Sequence, residues 1–279
     1  MTSVNEIKRI GVIGAGAMGR GIAQVFALFD YRVILVDTED AILQKAVEKL
    51  KKFTDPDLWE KVSSLIVTST DLEKLKDCDL IIEAVLEDIS VKKEVFKSIN
   101  SVCKNTAIIA TNTSSIPINK LAAEATDPSL FIGMHFMNPP KVMKLVEIVR
   151  GEKTSEETVE AITELTKRLN KIPAVVNDSP GFVSNRLLFA LIGEAIKLLE
   201  KGVSTREDID TVMEHGMNHP MGPIKLADFI GLDVCLAIMQ VNYENLNDDR
   251  YKPSQLLETL VRSGKLGKKT GEGFYKYDV

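Results

Sequence analysis

The sequence predicts an α/β protein: a doubly wound, mostly parallel sheet domain followed by an all-α C-terminal domain. Three observations carry this. Short β-rich runs alternate with helical patterns through the first half of the chain, the order that parallel strands with crossover helices produce. A glycine cluster, Gly14, Gly16 and Gly19, closes the first of those runs. After Pro180 the hydrophobic spacing turns helical, with Gly and Pro turns between segments.

Taken in order, Arg9–Ile13, Arg32–Val36, Leu80–Val85 and Ala107–Thr111 read as strands, and Met18–Phe29 and Ala41–Phe53 as helices. Further β-rich runs follow at Phe131–His135, Lys144–Val149 and Ala174–Val176, with a helical stretch, Ser155–Leu169, before the last. Asn177-Asp178-Ser179-Pro180-Gly181 gathers capping and helix-starting residues, which puts a domain boundary near Pro180. Domains of residues 1–180 and 181–279 result, the second with helices over Phe182–Lys201, Thr205–Gly216, Ile224–Asn245 and Ser254–Ser263.

At 279 residues, 44% hydrophobic and 27% charged, the chain is long enough for two folded domains. A net charge of −5 argues against bulk affinity for nucleic acid. No apolar run is long enough to span a membrane, and MTSVNEIKRI lacks the apolar core of a secretion signal, so the expected location is the cytoplasm. Cys78, Cys103 and Cys235 have neither metal-ligand nor CxxC spacing, so no metal site is expected.

Ile10-Gly11-Val12-Ile13 reads as a buried parallel strand, and Gly14-Ala15-Gly16-Ala17-Met18-Gly19 follows before an apolar helix. The first glycine permits the tight turn, the second lets backbone approach a pyrophosphate, and the third lets helix and strand pack closely. Gly14, Gly16, Ala17, Met18 and Gly19 are therefore the expected phosphate cradle at a helix N-terminus of a Rossmann-type domain. Asp37 ends the second strand, 23 residues after Gly14, where an acid accepts the ribose hydroxyls and repels a 2′-phosphate. NAD is the expected cofactor, ahead of NADP. FAD shares the motif, but nothing else in the chain suggests a flavin.

A reaction needing a proton acceptor near neutral pH has three histidines to draw on, His135, His215 and His219. His135 ends a β-run and is expected at the carboxyl edge of the sheet, where such folds bind ligands. Asn112-Thr113-Ser114-Ser115 follows another strand at that edge, and Glu147 lies in the next β-run. A carboxylate beside the imidazole would orient it, and a serine hydroxyl would hold a reacting oxygen. Glu147 as a solvent-facing strand residue, Ser114 as a helix cap and His135 as a structural histidine fit the spacing as well.

Gly133-Met134-His135-Phe136-Met137-Asn138-Pro139-Pro140, with Lys144-Leu145-Val146-Glu147, resembles the signature of the 3-hydroxyacyl-CoA dehydrogenase family, within it the 3-hydroxybutyryl-CoA dehydrogenases. The likeness continues through Asp178–Arg186, His219–Pro223 and Gly267–Tyr275 and covers nearly the whole chain. It implies NAD-dependent interconversion of (S)-3-hydroxyacyl-CoA and 3-oxoacyl-CoA, with short chains. By the resemblance His135 is the base, Glu147 orients it, Ser114 bonds the substrate oxygen, and Asn185 fixes the carbonyl region. Glu87, Lys92, Asn112, Ser114, Asn138 and Lys269 join the expected NAD contacts by the same comparison, Lys92 and Lys269 reading equally as solvated cations. The helical domain of the family pairs two chains, so a homodimer is expected, with Leu232, Val234, Cys235, Ile238 and Met239 serving either that face or the core.

Many relatives carry a long helical hairpin after the second strand, with coenzyme A contacts on it. Here one helix, Ala41–Phe53, is followed by Asp55-Pro56-Asp57, and the region is expected to be shorter. Lys45, Lys49 and Lys52 share a face there that meets coenzyme A phosphates or water. Two other functions stay open: oxidation of a sugar acid such as gulonate, known among relatives, and a non-catalytic, crystallin-like role.

Overall fold

A computed structural model of the chain describes residues 4–278. They form two units that divide between Asp178 and Ser179. In the first, β1 (Arg9–Ile13), β2 (Arg32–Val36), β3 (Ile66–Ser69), β4 (Leu80–Glu83), β5 (Ile108–Thr111), β6 (Phe131–Phe136), β7 (Leu145–Arg150) and β8 (Ile172–Asn177) make one sheet, ordered β3-β2-β1-β4-β5-β6-β7-β8. All neighbours run parallel except β6 and β7. The order reverses between β1 and β4, and the crevice at that point is where this architecture takes nucleotides.

Helices α1 (Ala17–Leu28), α2 (Asp40–Phe53), α3 (Pro56–Leu65), α4 (Ile89–Val102), α5 (Ile118–Ala122) and α6 (Glu156–Arg168) complete the unit. The central strands are apolar on both faces, Ile10, Val12, Leu35, Leu80 and Ile82 among them being essentially unexposed, as expected for a parallel sheet covered on both sides. Burial of these side chains contributes about 1.5–3 kcal/mol each.

Two differences from the sequence reading fall in this unit. Asp55-Pro56-Asp57 does not end the helical region but starts α3: the Asp55 carboxylate accepts the Asp57 N–H at 3.1 Å and Pro56 occupies the first turn. The same residues that break a helix also begin one, which spacing alone does not separate. The segment is a helical hairpin, with Lys45, Lys49 and Lys52 exposed along α2. The short edge strand β3 escapes the sequence pattern because it buries little.

The second unit is helical: α7 (Ser184–Glu200), α8 (Arg206–Thr211), α9 (Pro223–Ile230), α10 (Leu232–Leu246) and α11 (Gln255–Arg262). The expected helix Ile224–Asn245 is two, because Gly231 takes φ +107° between them, a conformation that excludes most side chains. Thr205–Gly216 begins as α8 and finishes in a π-helical turn at Val212–Gly216. Leu232, Cys235 and Met239 are buried in the core of this unit, which removes them as an outward face. Its closing segment is pinned by Asp228, whose carboxylate accepts the N–H groups of Phe274 at 2.9 Å and Tyr275 at 2.8 Å and the Tyr277 hydroxyl at 3.0 Å. Among the described residues no helix is long and apolar enough to cross a membrane.

Candidate active site

The glycine turn is held from both sides. Gly14 donates its N–H to the Val36 carbonyl at 2.8 Å and takes φ +97°, and a Cβ there would stand 2.5 Å from the Ala84 carbonyl oxygen. At Gly19 a Cβ would overlap the Gly14 carbonyl. Gly16 differs: a Cβ there meets nothing within 4 Å. It faces open space at the start of α1, where no side chain caps the helix and the first amides are left for an anion.

That space is a cleft of about 890 Å³ lined by Gly14, Gly16, Ala17, Met18, Asp37 and Glu87 of the expected contacts. Asp37 accepts the Ala15 N–H at 2.6 Å and the Thr38 N–H at 2.7 Å; a carboxylate offers about four acceptor sites, so capacity remains for ribose hydroxyls. Ile42, Leu72, Val91 and Val95 give the cleft an apolar slot that no motif announces, since they come from three separate elements. Volume, open glycine, uncapped helix start and acidic rim fit a dinucleotide. A wider groove of about 1230 Å³ on the second unit, beside Thr205, Arg206 and Phe274, contains none of the expected site residues.

His135 and Glu147 stand directly opposite each other in the antiparallel β6–β7 pair. The His135 Nδ1 lies 2.8 Å from Glu147 Oε2, with 7% of the histidine and 2% of the glutamate exposed. Glu147 is thus no solvent-facing residue. With Nδ1–H donating to the carboxylate, the neutral ring carries its lone pair on Nε2. Asn112 accepts the Phe136 N–H at 2.9 Å, extending the β5–β6 ladder by a side chain and fixing the strand end that bears the histidine.

Ser114 sits in a loop gathered on one carboxylate oxygen. Glu87 Oε1 accepts the Thr113 hydroxyl at 2.6 Å, the Ser114 N–H at 2.9 Å and the Ser115 N–H at 3.1 Å, and lies 3.3 Å from the Ser114 hydroxyl. Burial works to raise the Glu87 pKa, but the Lys92 ammonium and these donors outweigh it and hold the carboxyl below the ordinary range. Glu87 therefore joins the cofactor cleft to the Ser114 loop. Lys92 is no solvated cation: 1% of its side chain is exposed, and its ammonium bonds Glu83 at 2.7 Å and Glu87 at 3.2 Å.

Asn138 is exposed in the loop after β6. In the second unit Asn185 is buried in the first turn of α7, and Lys269 is exposed and ion-paired with Asp233 at 2.5 Å. His215 is exposed and His219 half-buried in that unit.

Residues 9–179 match the family model for the NAD-binding domain of 3-hydroxyacyl-CoA dehydrogenase, and residues 181–277 match the model for its C-terminal domain. The chain belongs to the 3-hydroxyacyl-CoA dehydrogenase family. It is an NAD-dependent oxidoreductase. A probable 3-hydroxybutyryl-CoA dehydrogenase of Deinococcus radiodurans is 49% identical over 277 residues, covering 96% of this chain and 100% of that protein. The 3-hydroxybutyryl-CoA dehydrogenase of Clostridioides difficile is 44% identical, covering 97% and 99% respectively. The crystal structure of (S)-3-hydroxybutyryl-CoA dehydrogenase from Ralstonia eutropha aligns with a TM-score of 0.93 at 43% identity, covering 98% of this chain and 100% of that one.

Proposed function

We propose that this family member interconverts short-chain (S)-3-hydroxyacyl-CoA and 3-oxoacyl-CoA, the four-carbon pair first, with His135 as the base. The observation that carries the assignment is the buried His135–Glu147 pair, 2.8 Å apart and tied through Asn112 to the strand next to it. In the oxidative direction His135 Nε2 takes the proton of the 3-hydroxyl. Glu147 holds the ring in the tautomer that can do so and stabilises the imidazolium that forms. NAD, when bound, accepts the hydride from C3, so one proton and one hydride leave the substrate as its carbon–oxygen bond becomes a ketone.

Ser114 donates its hydroxyl to the substrate oxygen, and Asn185 holds the acyl carbonyl. Gly14, Gly16, Ala17, Met18 and Gly19 form the pyrophosphate cradle, and Asp37 and Glu87 meet ribose hydroxyls. Asn112, Asn138 and Lys269 complete the proposed cofactor surroundings. The chemistry of a carboxylate-supported imidazole beside a hydroxyl-binding serine supports this division of roles. Exposed Val203, Val212, Met217 and Phe229 on the helical unit support pairing of two copies through that unit, which a sedimentation mass of one chain would refute.

Purified protein mixed with acetoacetyl-CoA is expected to consume NADH absorbance, and His135→Gln to abolish turnover while NADH still binds. Turnover of gulonate without turnover of any acyl-CoA would overturn the substrate. Full activity in the His135 variant would overturn the base.

A further inference from the structure

With the pyrophosphate on the glycine turn and a ribose on Asp37, the base attached to that ribose is left to the apolar slot of the same cleft, between Ile42, Leu72, Val91 and Val95. An apolar slot accepts any flat ring, and selectivity comes from the few polar groups set into its wall. Val91, Glu94, Val95 and Ser98 stand at i, i+3, i+4 and i+7 along α4, the spacing of one helix face, and all four line the cleft. Thr70 joins them from the turn after β3.

The three polar side chains at this end differ in what they can read. A hydroxyl turns to donate or to accept, so Thr70 and Ser98 tolerate either kind of base edge, and the Ser98 hydroxyl already donates to the Glu94 carbonyl at 3.0 Å. An ionised carboxylate only accepts. Glu94 is also left without a counter-ion on its own helix. Lys93 beside it and Lys97 one turn on both direct their ammonium groups to Glu124 instead, at 2.9 Å and 3.8 Å. Among the described residues no cation or donor meets the Glu94 carboxylate. A free acceptor with full charge therefore lines a slot that otherwise offers apolar surface and hydroxyls.

We propose that Glu94 is the specificity-determining residue for the base of the cofactor: its carboxylate accepts the exocyclic amine of adenine. A base with a carbonyl oxygen at that position would set acceptor against acceptor, and the slot rejects it. The inference rests on the reading above that Asp37 takes the ribose.

The test compares NADH with the reduced dinucleotide that carries hypoxanthine in place of adenine, the Kd of each being read from nicotinamide fluorescence on the full chain. No acyl-CoA enters the measurement, so its outcome is independent of the substrate assignment. Wild type is expected to bind NADH about 10-fold more tightly than the hypoxanthine analogue. In Glu94→Ala the two are expected to bind within about threefold of each other, NADH having weakened. Glu94→Gln, whose amide presents an oxygen or an NH2 group, is expected to bind both alike. Glu94 is exposed on α4 and both replacements are good helix formers, so the variants are expected to fold. Equal binding of the two dinucleotides by wild type, or a ratio that persists in Glu94→Ala, overturns the proposal. Unchanged NADH affinity in Asp37→Ala overturns the placement of the ribose, and shows before Glu94 is touched.

Discussion

Replacing Glu147 by glutamine keeps the size of a side chain that is 2% exposed but removes its charge. The hydrogen bond to His135 Nδ1 at 2.8 Å changes from charge-assisted to neutral. Hydrogen bonds to charged groups contribute about 1.5–3 kcal/mol against about 0.5–1.5 kcal/mol for neutral ones, and each 1.36 kcal/mol is about tenfold in rate, so the difference of about 1–1.5 kcal/mol is expected to lower kcat by roughly 5- to 13-fold. A second effect adds to this. The glutamine amide can donate to Nδ1, which moves the ring proton to Nε2 and leaves no lone pair for the substrate; a wrong tautomer of this kind costs up to about 10⁴. The assay is NADH absorbance with acetoacetyl-CoA, with NADH binding followed separately by fluorescence. Since Glu147 acts only through His135 in this scheme, the double variant is expected to be no slower than His135→Gln alone. A loss below threefold in Glu147→Gln, or additive losses in the double variant, would refute the dyad.

Gly16→Ala is expected to fold with an unchanged Tm, because its Cβ meets nothing within 4 Å, yet to weaken NADH binding by about 5- to 150-fold as the methyl intrudes on the pyrophosphate; unaltered binding would move the phosphates elsewhere. Glu87 has a folded pKa below its unfolded value, so its contribution to stability is present above the ordinary carboxyl pKa of about 4.3 and is lost as pH falls through the lowered value. Urea midpoints of wild type and Glu87→Gln should accordingly differ at pH 7 and converge at acid pH, a constant gap counting against an ionised Glu87 holding the loop. Burial pushes the Cys78 and Cys235 thiols up to about 12, which leaves little thiolate at pH 8; iodoacetamide on the native protein is expected to label Cys103 alone, and labelling of all three at equal rates would contradict the burial. Asn242 is wholly buried with neither amide atom hydrogen-bonded among the described residues. An unmet polar group of this kind costs about 1–3 kcal/mol, so Asn242→Leu is expected to raise Tm by about 2–4 °C per kcal/mol recovered; a lowered Tm would mean the amide has a partner.

The sheet was legible in the sequence because its central strands are apolar on both faces, which makes Ile10–Ile13, Arg32–Val36 and Leu80–Glu83 stand out as short runs whatever their neighbours. The edge strand β3, with a half-exposed surface and no alternation to speak of, offers no such contrast. Breaks in helices were legible only as residue types. Gly231 and the Asp55-Pro56 pair each mark a turn and a helix start together, and which of these a segment adopts is set by packing partners far away in sequence.

The site divides along the same line. Gly14, Gly16, Gly19 and Asp37 are legible in the sequence because their spacing reflects one local strand–turn–helix–strand unit, whereas the spacing of His135 and Glu147 leaves the pair open and only the family resemblance assigns it, since the antiparallel pairing of β6 with β7 that sets the two face to face is not written in any local pattern. The burial of Lys92 was not legible, because its two carboxylate partners come from the end of β4 and the loop beyond it, and the spacing fits a solvated cation as well. A buried cation between two carboxylates is expensive to assemble unless every partner is satisfied. Glu83 has three donors and Glu87 Oε1 at least three, so the desolvation is offset on both sides of the ammonium.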